Sequence, residues 1–307
     1  EWEAATDPGR TVLVGVEPAT DQIVWSGITL TRRGGSSSTL ALGAATPECW
    51  FGRRYPGTYS ATGVDRSTIM AALAAAVNTD GPPITVDSTA SGQAMDYATA
   101  DGDDRTVLSQ LQTIAGMGIP EFVVDTVWAD AAHSRIAFVL RIRPAIGVQP
   151  ASPEAVFDMP GCITGYELAE SYEDGKGATE VIATGEGEGS TRALSPPQSA
   201  GALILGGWCR WQYRYSPGSG ITSTSQLGAH AATALAQMQT GTRAWSLTAA
   251  ASAAPRIGRD WALGDTVRVQ ITRSPRHPAG ADLVARAYGW ALDPDADQVS
   301  PILLEDT

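Results

Sequence analysis

Residues 135–143 read Arg-Ile-Ala-Phe-Val-Leu-Arg-Ile-Arg. Ile136, Phe138, Leu140 and Ile142 fall on one side of a period of two, and Arg135, Ala137, Val139, Arg141 and Arg143 on the other. An extended strand with one face in a core and the other in water places them so. The same signature recurs towards both ends of the chain. An apolar strand over 11–16, a turn at 17–21 containing Pro18, a strand over 22–32, a Gly-Ser loop from Gly34 and a return strand over 39–42 make a β-meander. The C-terminal part carries strands over 245–250, 265–272, 282–292 and 299–304.

Between these blocks the period changes. Asp65 is placed to cap a helix over 66–77, with Ile69, Leu73 and Val77 recurring every four residues, until Gly81-Pro82-Pro83 stops it. A second helix starts near Asp103 or Asp104 and carries Val107, Leu108, Leu111 and Ile114 on one stripe. Strands follow over 121–128 and 135–143. After a joint at Pro150 and Pro153, strands are expected over 162–170 and 178–185. An aromatic segment, 208–215, and a helix capped by Ser223 or Ser225 follow, the helix bearing Leu227, Ala231, Leu235 and Met238. There is also an internal echo. Thr11-Val-Leu-Val14 resembles Thr266-Val-Arg-Val269, and each is followed by a longer segment containing Trp and Gly, Trp25-Ser-Gly27 and Gly289-Trp290. The fold class is α+β, mainly β.

The 307 residues carry 33 Asp and Glu against 21 Lys and Arg, a net charge of -12. That balance argues against a broad surface that grips nucleic-acid phosphates, which needs clustered cations. Lys176 is the single lysine, so 20 of the 21 cations are arginine, a bias that points to a GC-rich genome. Cys49, Cys162 and Cys209 are too few and too far apart for a zinc site or a disulfide framework, and read as buried thiols. No apolar run approaches the roughly 20 residues that span a bilayer.

Catalytic constellations are weak. His133, His230 and His277 lie near no nucleophile elbow, and His277, between Pro275-Arg and Pro278, reads as a turn residue. Asp293, Asp295, Asp297, Glu186 and Glu188 sit in polar Gly/Pro-flanked loops where carboxylates stay solvated, unlike the tuned pair of a glycosidase. Asp293-Pro-Asp-Ala-Asp297 lacks the glycine and distal glutamate of a calcium loop. No catalytic, cofactor or metal residue is assigned. Trp208, Arg210, Trp211, Tyr213 and Tyr215 are the candidate site: aromatics interleaved with arginine are what subunit interfaces enrich.

The ordered series Val24-Trp-Ser-Gly-Ile-Thr-Leu30, Tyr172-Glu-Asp-Gly-Lys-Gly-Ala-Thr179, Val181-Ile-Ala-Thr-Gly-Glu-Gly187, Leu263-Gly-Asp-Thr-Val-Arg-Val269 and Arg286-Ala-Tyr-Gly-Trp290 resembles the minor tail and baseplate-hub proteins of tailed bacteriophages. The resemblance implies two tail-tube-like β-barrels, residues 1–60 and residues 151–205 with 243–307. An α+β domain, 61–150, and an aromatic, helical insertion, 206–242, would decorate them. It implies a structural virion protein and not an enzyme: a homotrimeric hub at the tail tip that closes the tail tube. Its partners would be the tail tube, the distal tail and other tail-tip proteins and the tape measure protein. Phage DNA would pass through the lumen unbound, with no membrane partner in the resting virion. The competing reading is a secreted β-rich carbohydrate-binding module or glycan hydrolase, with Trp50, Trp208, Trp211 and Tyr213 as sugar platforms.

Overall fold

A computed structural model describes residues 2–36, 38–218 and 221–304. The chain divides into two units, residues 1–115 with 119–145 and residues 146–307 with 116–118.

In the first unit a short helix, α1 (Trp2–Ala5), precedes an antiparallel meander of β1 (Val12–Glu17), β2 (Gln22–Arg33) and β3 (Ala41–Ala45). Side chains two apart on a strand share a face, and this explains Trp25-Ser-Gly27. The Trp25 ring lies across Gly27, where a Cβ would meet its Cη2 at 2.6 Å. After α2 (Glu48–Phe51) come β4 (Tyr59–Asp65), α3 (Arg66–Ala75), β5 (Ile84–Ser88), β6 (Ala94–Thr99), α4 (Val107–Ala115), β7 (Glu121–Trp128) and β8 (Ile136–Arg143). β4 pairs with β6, and β8 lies between a parallel β5 and an antiparallel β7. Asp65 caps α3, its carboxylate accepting from the Ser67 amide at 2.9 Å.

The second expected helix begins later than its acidic residues suggest. Asp101–Asp103 form a single 3-10 turn and Asp104 is left-handed (φ 51°), so regular helix starts only at Val107. Ile69, Met70 and Leu73 of α3, Val107, Leu111 and Ile114 of α4, and Phe138, Leu140 and Ile142 of β8 are buried together with Phe51. The opposite face of β8 holds ions. Arg141 pairs with Asp125 and with Asp87, and Arg143 with Asp87 at 2.6 Å.

The second unit contains a six-stranded sheet. Its strands are β9 (Val156–Met159), β10 (Ile163–Ser171), β14 (Thr242–Ala250), β15 (Thr266–Ile271), β16 (Ala281–Asp293) and β17 (Gln298–Leu304), in the order β10-β14-β17-β16-β15-β9. The two edge strands are consecutive in the chain. Laid flat, their separation would be about 24 Å, five spacings of about 4.8 Å. The connection from Met159 to Ile163 reaches only about 14 Å. The sheet therefore rolls until its edges approach. Phe157, Trp245, Leu247, Val267, Val269 and Leu303 fill the inside, with Phe157 edge-on to Trp261 at 6.0 Å.

Strands β10 and β14 form a hairpin from Ile163↔Ala249 to Ser171↔Thr242, and residues 172–241 are inserted at its tip. The insertion folds as its own sheet of β11 (Glu180–Ala183), β12 (Gln198–Ser199) and β13 (Gln212–Tyr215), with α5 (Gly201–Leu205) and α6 (Thr224–Met238). Its core is Ala178, Val181, Ala183, Ile221, Leu227, Ala231 and Met238. Residues 172–205, assigned from the sequence to the second barrel, therefore pair within the insertion. A short buried β-run carries no mark of which sheet it joins.

The sequence echo has a structural counterpart. Val12, first in β1, pairs with Ile28, which pairs with Ala45, last in β3. Thr266, first in β15, pairs with Arg286, which pairs with Leu304, last in β17. In each long strand the register slips two residues further on, at Leu30 and at Tyr288. The carbonyl of the intervening residue accepts in both cases from the amide of a left-handed glycine, Gly9 to Thr29 and Gly264 to Ala287. The two meanders share one register plan.

Candidate functional site

The loop before β13 is fixed to the start of β11. The Trp211 carbonyl accepts from the Thr179 and Glu180 amides at 3.0 and 2.9 Å, and its amide donates to Thr179 Oγ1 at 2.8 Å. The Thr179 hydroxyl donates in turn to the Cys209 carbonyl at 3.0 Å. Held this way, Trp208 is 42% exposed and Trp211 54%. The Tyr172 ring lies 5.5 Å from Trp208 and 6.2 Å from Trp211, inclined at 59° and 63°. Leu205, at the end of α5, is 91% exposed and enlarges the apolar surface.

One buried charge anchors the same loop. The Glu180 carboxylate accepts from Arg210 Nη2 at 2.6 Å and Nε at 3.1 Å, and from Gln212 Nε2 at 2.5 Å. The hydrogen bond from Gln212 above all, with the Arg210 guanidinium assisting, holds the Glu180 carboxyl below the usual carboxylate range.

The five candidate residues do not act alike. Alternation along β13 turns Tyr213 and Tyr215 towards the core of the insertion, where their rings stack at 5.6 Å and the Tyr215 hydroxyl donates to the His230 carbonyl at 2.9 Å. Burial pushes the Tyr215 phenol up to about 12. Trp208, Arg210 and Trp211 remain at the surface, joined by Arg214 on the outward face of β13. Sequence reasoning missed Leu205 and Tyr172, which reach the cluster only through the fold. Cys209 is exposed within this loop, whereas Cys162 is buried. The expectation of three buried thiols therefore holds for Cys162 alone: Cys49 is half-buried, and at Cys209 the tight Thr179–Cys209 bond holds the backbone and leaves the side chain outside.

The other candidates separate. His133 stacks on Trp128 at 4.9 Å, His230 is buried on α6, and His277 accepts or donates at Nδ1 to the Tyr166 hydroxyl at 2.7 Å. Asp293, Asp295 and Asp297 lie exposed at the β16–β17 turn. Trp50 packs on Phe51 at 5.3 Å with the Arg54 guanidinium 5.1 Å above it. It belongs to the first unit, whereas Trp208, Trp211 and Tyr213 belong to the second.

No family model and no curated protein matches the chain. Solved structures do. The tail protein from Neisseria meningitidis MC58 is 17% identical, with 93% of this chain and 81% of that chain covered and a TM-score of 0.58. The 43 kDa tail protein of prophage MuSo2 from Shewanella oneidensis is 11% identical, with 97% and 82% covered and a TM-score of 0.58. Prophage tail protein gp18 from Listeria monocytogenes EGD-e is 9% identical, with 92% and 77% covered and a TM-score of 0.52. The chain has the fold of these tail proteins. At such identities the likeness is one of fold, spread over both units rather than confined to one.

Proposed function

We propose that the chain is a structural component of a phage tail, a homotrimeric hub at the tail tip. The observation that carries this reading is the likeness to three tail proteins over more than nine-tenths of the chain. The repeated meander supports the finer part. Two β-units built on one register plan in each chain would let three chains present six similar units to a tail tube, with the tape measure, distal tail and other tip proteins as neighbours. In this reading the first barrel is built on residues 1–60 and the second on the rolled sheet. Residues 61–150 and the insertion lie outside them.

The charge supports a passive conduit. Residues 1–145 hold 16 acidic and 10 basic side chains and residues 146–307 hold 17 and 11, a net of -6 in each part. Neither part carries the net positive charge of a phosphate-gripping protein, so in this reading DNA passes the lumen by field repulsion rather than by binding. Trp208, Arg210 and Trp211, backed by Tyr213 and Tyr215, are the subunit contact in this reading, since Trp and Arg dominate such contacts.

Light scattering on the purified chain tests the assembly, and three chain masses are expected. A monomer at all concentrations would overturn the trimer. Gold-labelled antibody on intact virions tests the place: label at the tail tip is expected, and label along the tube or on the capsid would refute it. Hydrolysis of bacterial glycans by the pure protein would replace this reading with the enzymatic one.

A further inference from the structure

The trimeric reading leaves open which surfaces meet. A closed ring of three identical chains uses heterologous contacts, so each chain presents two different surfaces. We propose that the outer face of the β16–β17 hairpin of one copy seats on the Trp208–Trp211 surface of the next. This inference rests on the trimeric reading and names the partner of its site.

Residues 146–307 carry two exposed surfaces that are apolar at the centre and opposite in charge at the rim. The first is Leu205, Trp208 and Trp211, with Arg210, paired to Glu180, in the same loop and Arg214 three residues beyond Trp211, at an exposed position of β13. Arg214 makes no ion pair among the described residues. The second lies on the hairpin. Ile302 is 56% exposed and Tyr288 45%. Ile302 sits between Ser246 and Gly289 in the ladder, and Ala291 pairs with Ser300, so small residues leave a shelf around it. The Tyr288 ring lies 5.0 Å from the guanidinium of the buried Arg286. The hairpin ends in Asp293, Asp295 and Asp297, all exposed and without an ion pair among the described residues.

The fit is one of shape and sign. Large rings meet a shelf of small residues, and a cationic rim meets an anionic tip. The exposed parts of the two tryptophans and Leu205 amount to on the order of 400 Å². That is about half of the ~800 Å² per partner in a standard interface, which suits a buried apolar centre with a charged rim.

The native exposed thiol of Cys209 provides the test. In full-length Ile302→Cys, mild oxidation should give a ladder of disulfide-linked dimers and trimers, with peptide mapping locating the bridge between 209 and 302; unchanged protein should give none. Independently, Arg214→Glu should raise the concentration at which trimers dissociate by about tenfold, and adding Asp295→Arg should restore it. A trimer that forms no 209–302 bridge and ignores the charge swap overturns this docking while leaving the hub reading intact. A chain that is monomeric before any substitution overturns the hub reading itself.

Discussion

Leu30 and Tyr288 are the same position in two meanders: each is the bulged residue two places beyond the residue that spans its meander, Ile28 or Arg286. Both side chains are exposed. A bulge adds a residue and re-aims the side chain it carries, so the same device displays a large apolar group twice in one chain. Leu30→Ser should change unfolding free energy by no more than about 0.5 kcal/mol, as for other exposed sites, whereas Tyr288→Ser also strips the ring from the buried Arg286 guanidinium and should cost about 0.5–2 kcal/mol. Tyr288→Ser alone should lower the trimer fraction in light scattering, since Tyr288 lies on the proposed contact.

Gly27 is fixed by its neighbour and not by its backbone. A methyl group there would overlap the Trp25 ring, and Trp25 would have to leave its place over the strand. Gly27→Ala should cost about 1–3 kcal/mol by denaturant unfolding. In the background of Trp25→Ala the same substitution should cost less, the remainder coming from the Ala45 carbonyl oxygen 3.0 Å from the added methyl. That non-additivity is the readout of direct contact.

Inside the first unit, the Tyr97 hydroxyl donates to Gln110 Oε1 at 2.7 Å, and both side chains are buried. Tyr97→Phe leaves a buried amide oxygen without its donor and should cost about 1–3 kcal/mol in unfolding free energy. Burial also pushes the Tyr97 phenol up to about 12. The unfolded phenol ionises near pH 10, so the stability held by the neutral folded phenol is full below that pH and is lost as pH climbs towards 12. Melting curves of Tyr97→Phe should fall less steeply across that alkaline window than those of the unaltered chain.

Glu180 gives the opposite dependence. Its folded carboxyl titrates below the usual carboxylate range, so its contribution is present above the unfolded value and lost as pH falls through the folded one. Tryptophan fluorescence should report loosening of the Trp208–Trp211 loop below about pH 5. Glu180→Gln should flatten that response, and a response unchanged by the substitution would remove Glu180 as its source.

Much of the fold could be read from residue order, but unevenly. The β8 strand was plain because Phe138, Leu140 and Ile142 face a core while Arg141 and Arg143 face aspartates. The caps Asp65 and Ser223 were plain because their hydroxyl or carboxylate precedes a helical stripe. β6 was not expected, although Met95, Tyr97 and Thr99 are buried in strict alternation. Alanine, tyrosine and threonine differ too little in polarity to display that period. β5 and β9 are short and lie beside prolines, where turn signals mask them. The echo was visible one residue out of step. Matching Thr11 with Thr266 follows letter identity, whereas the ladders match Val12 with Thr266. In the candidate site the aromatic content was evident. Its division into outward tryptophans and inward tyrosines depends on which edge of the small sheet β13 occupies, and that is a long-range choice.

The hairpin that carries the insertion closes at Ser171 and Thr242, which face each other across the ladder. The two ends of everything between them therefore lie a few ångströms apart, close enough for a tight turn to bridge. Excising residues 172–241 would leave the register of the rolled sheet unaltered, and grafting a different module there would disturb it no more. Lineages sharing this scaffold are thereby free to exchange that module by recombination while the rolled sheet beneath it stays constant.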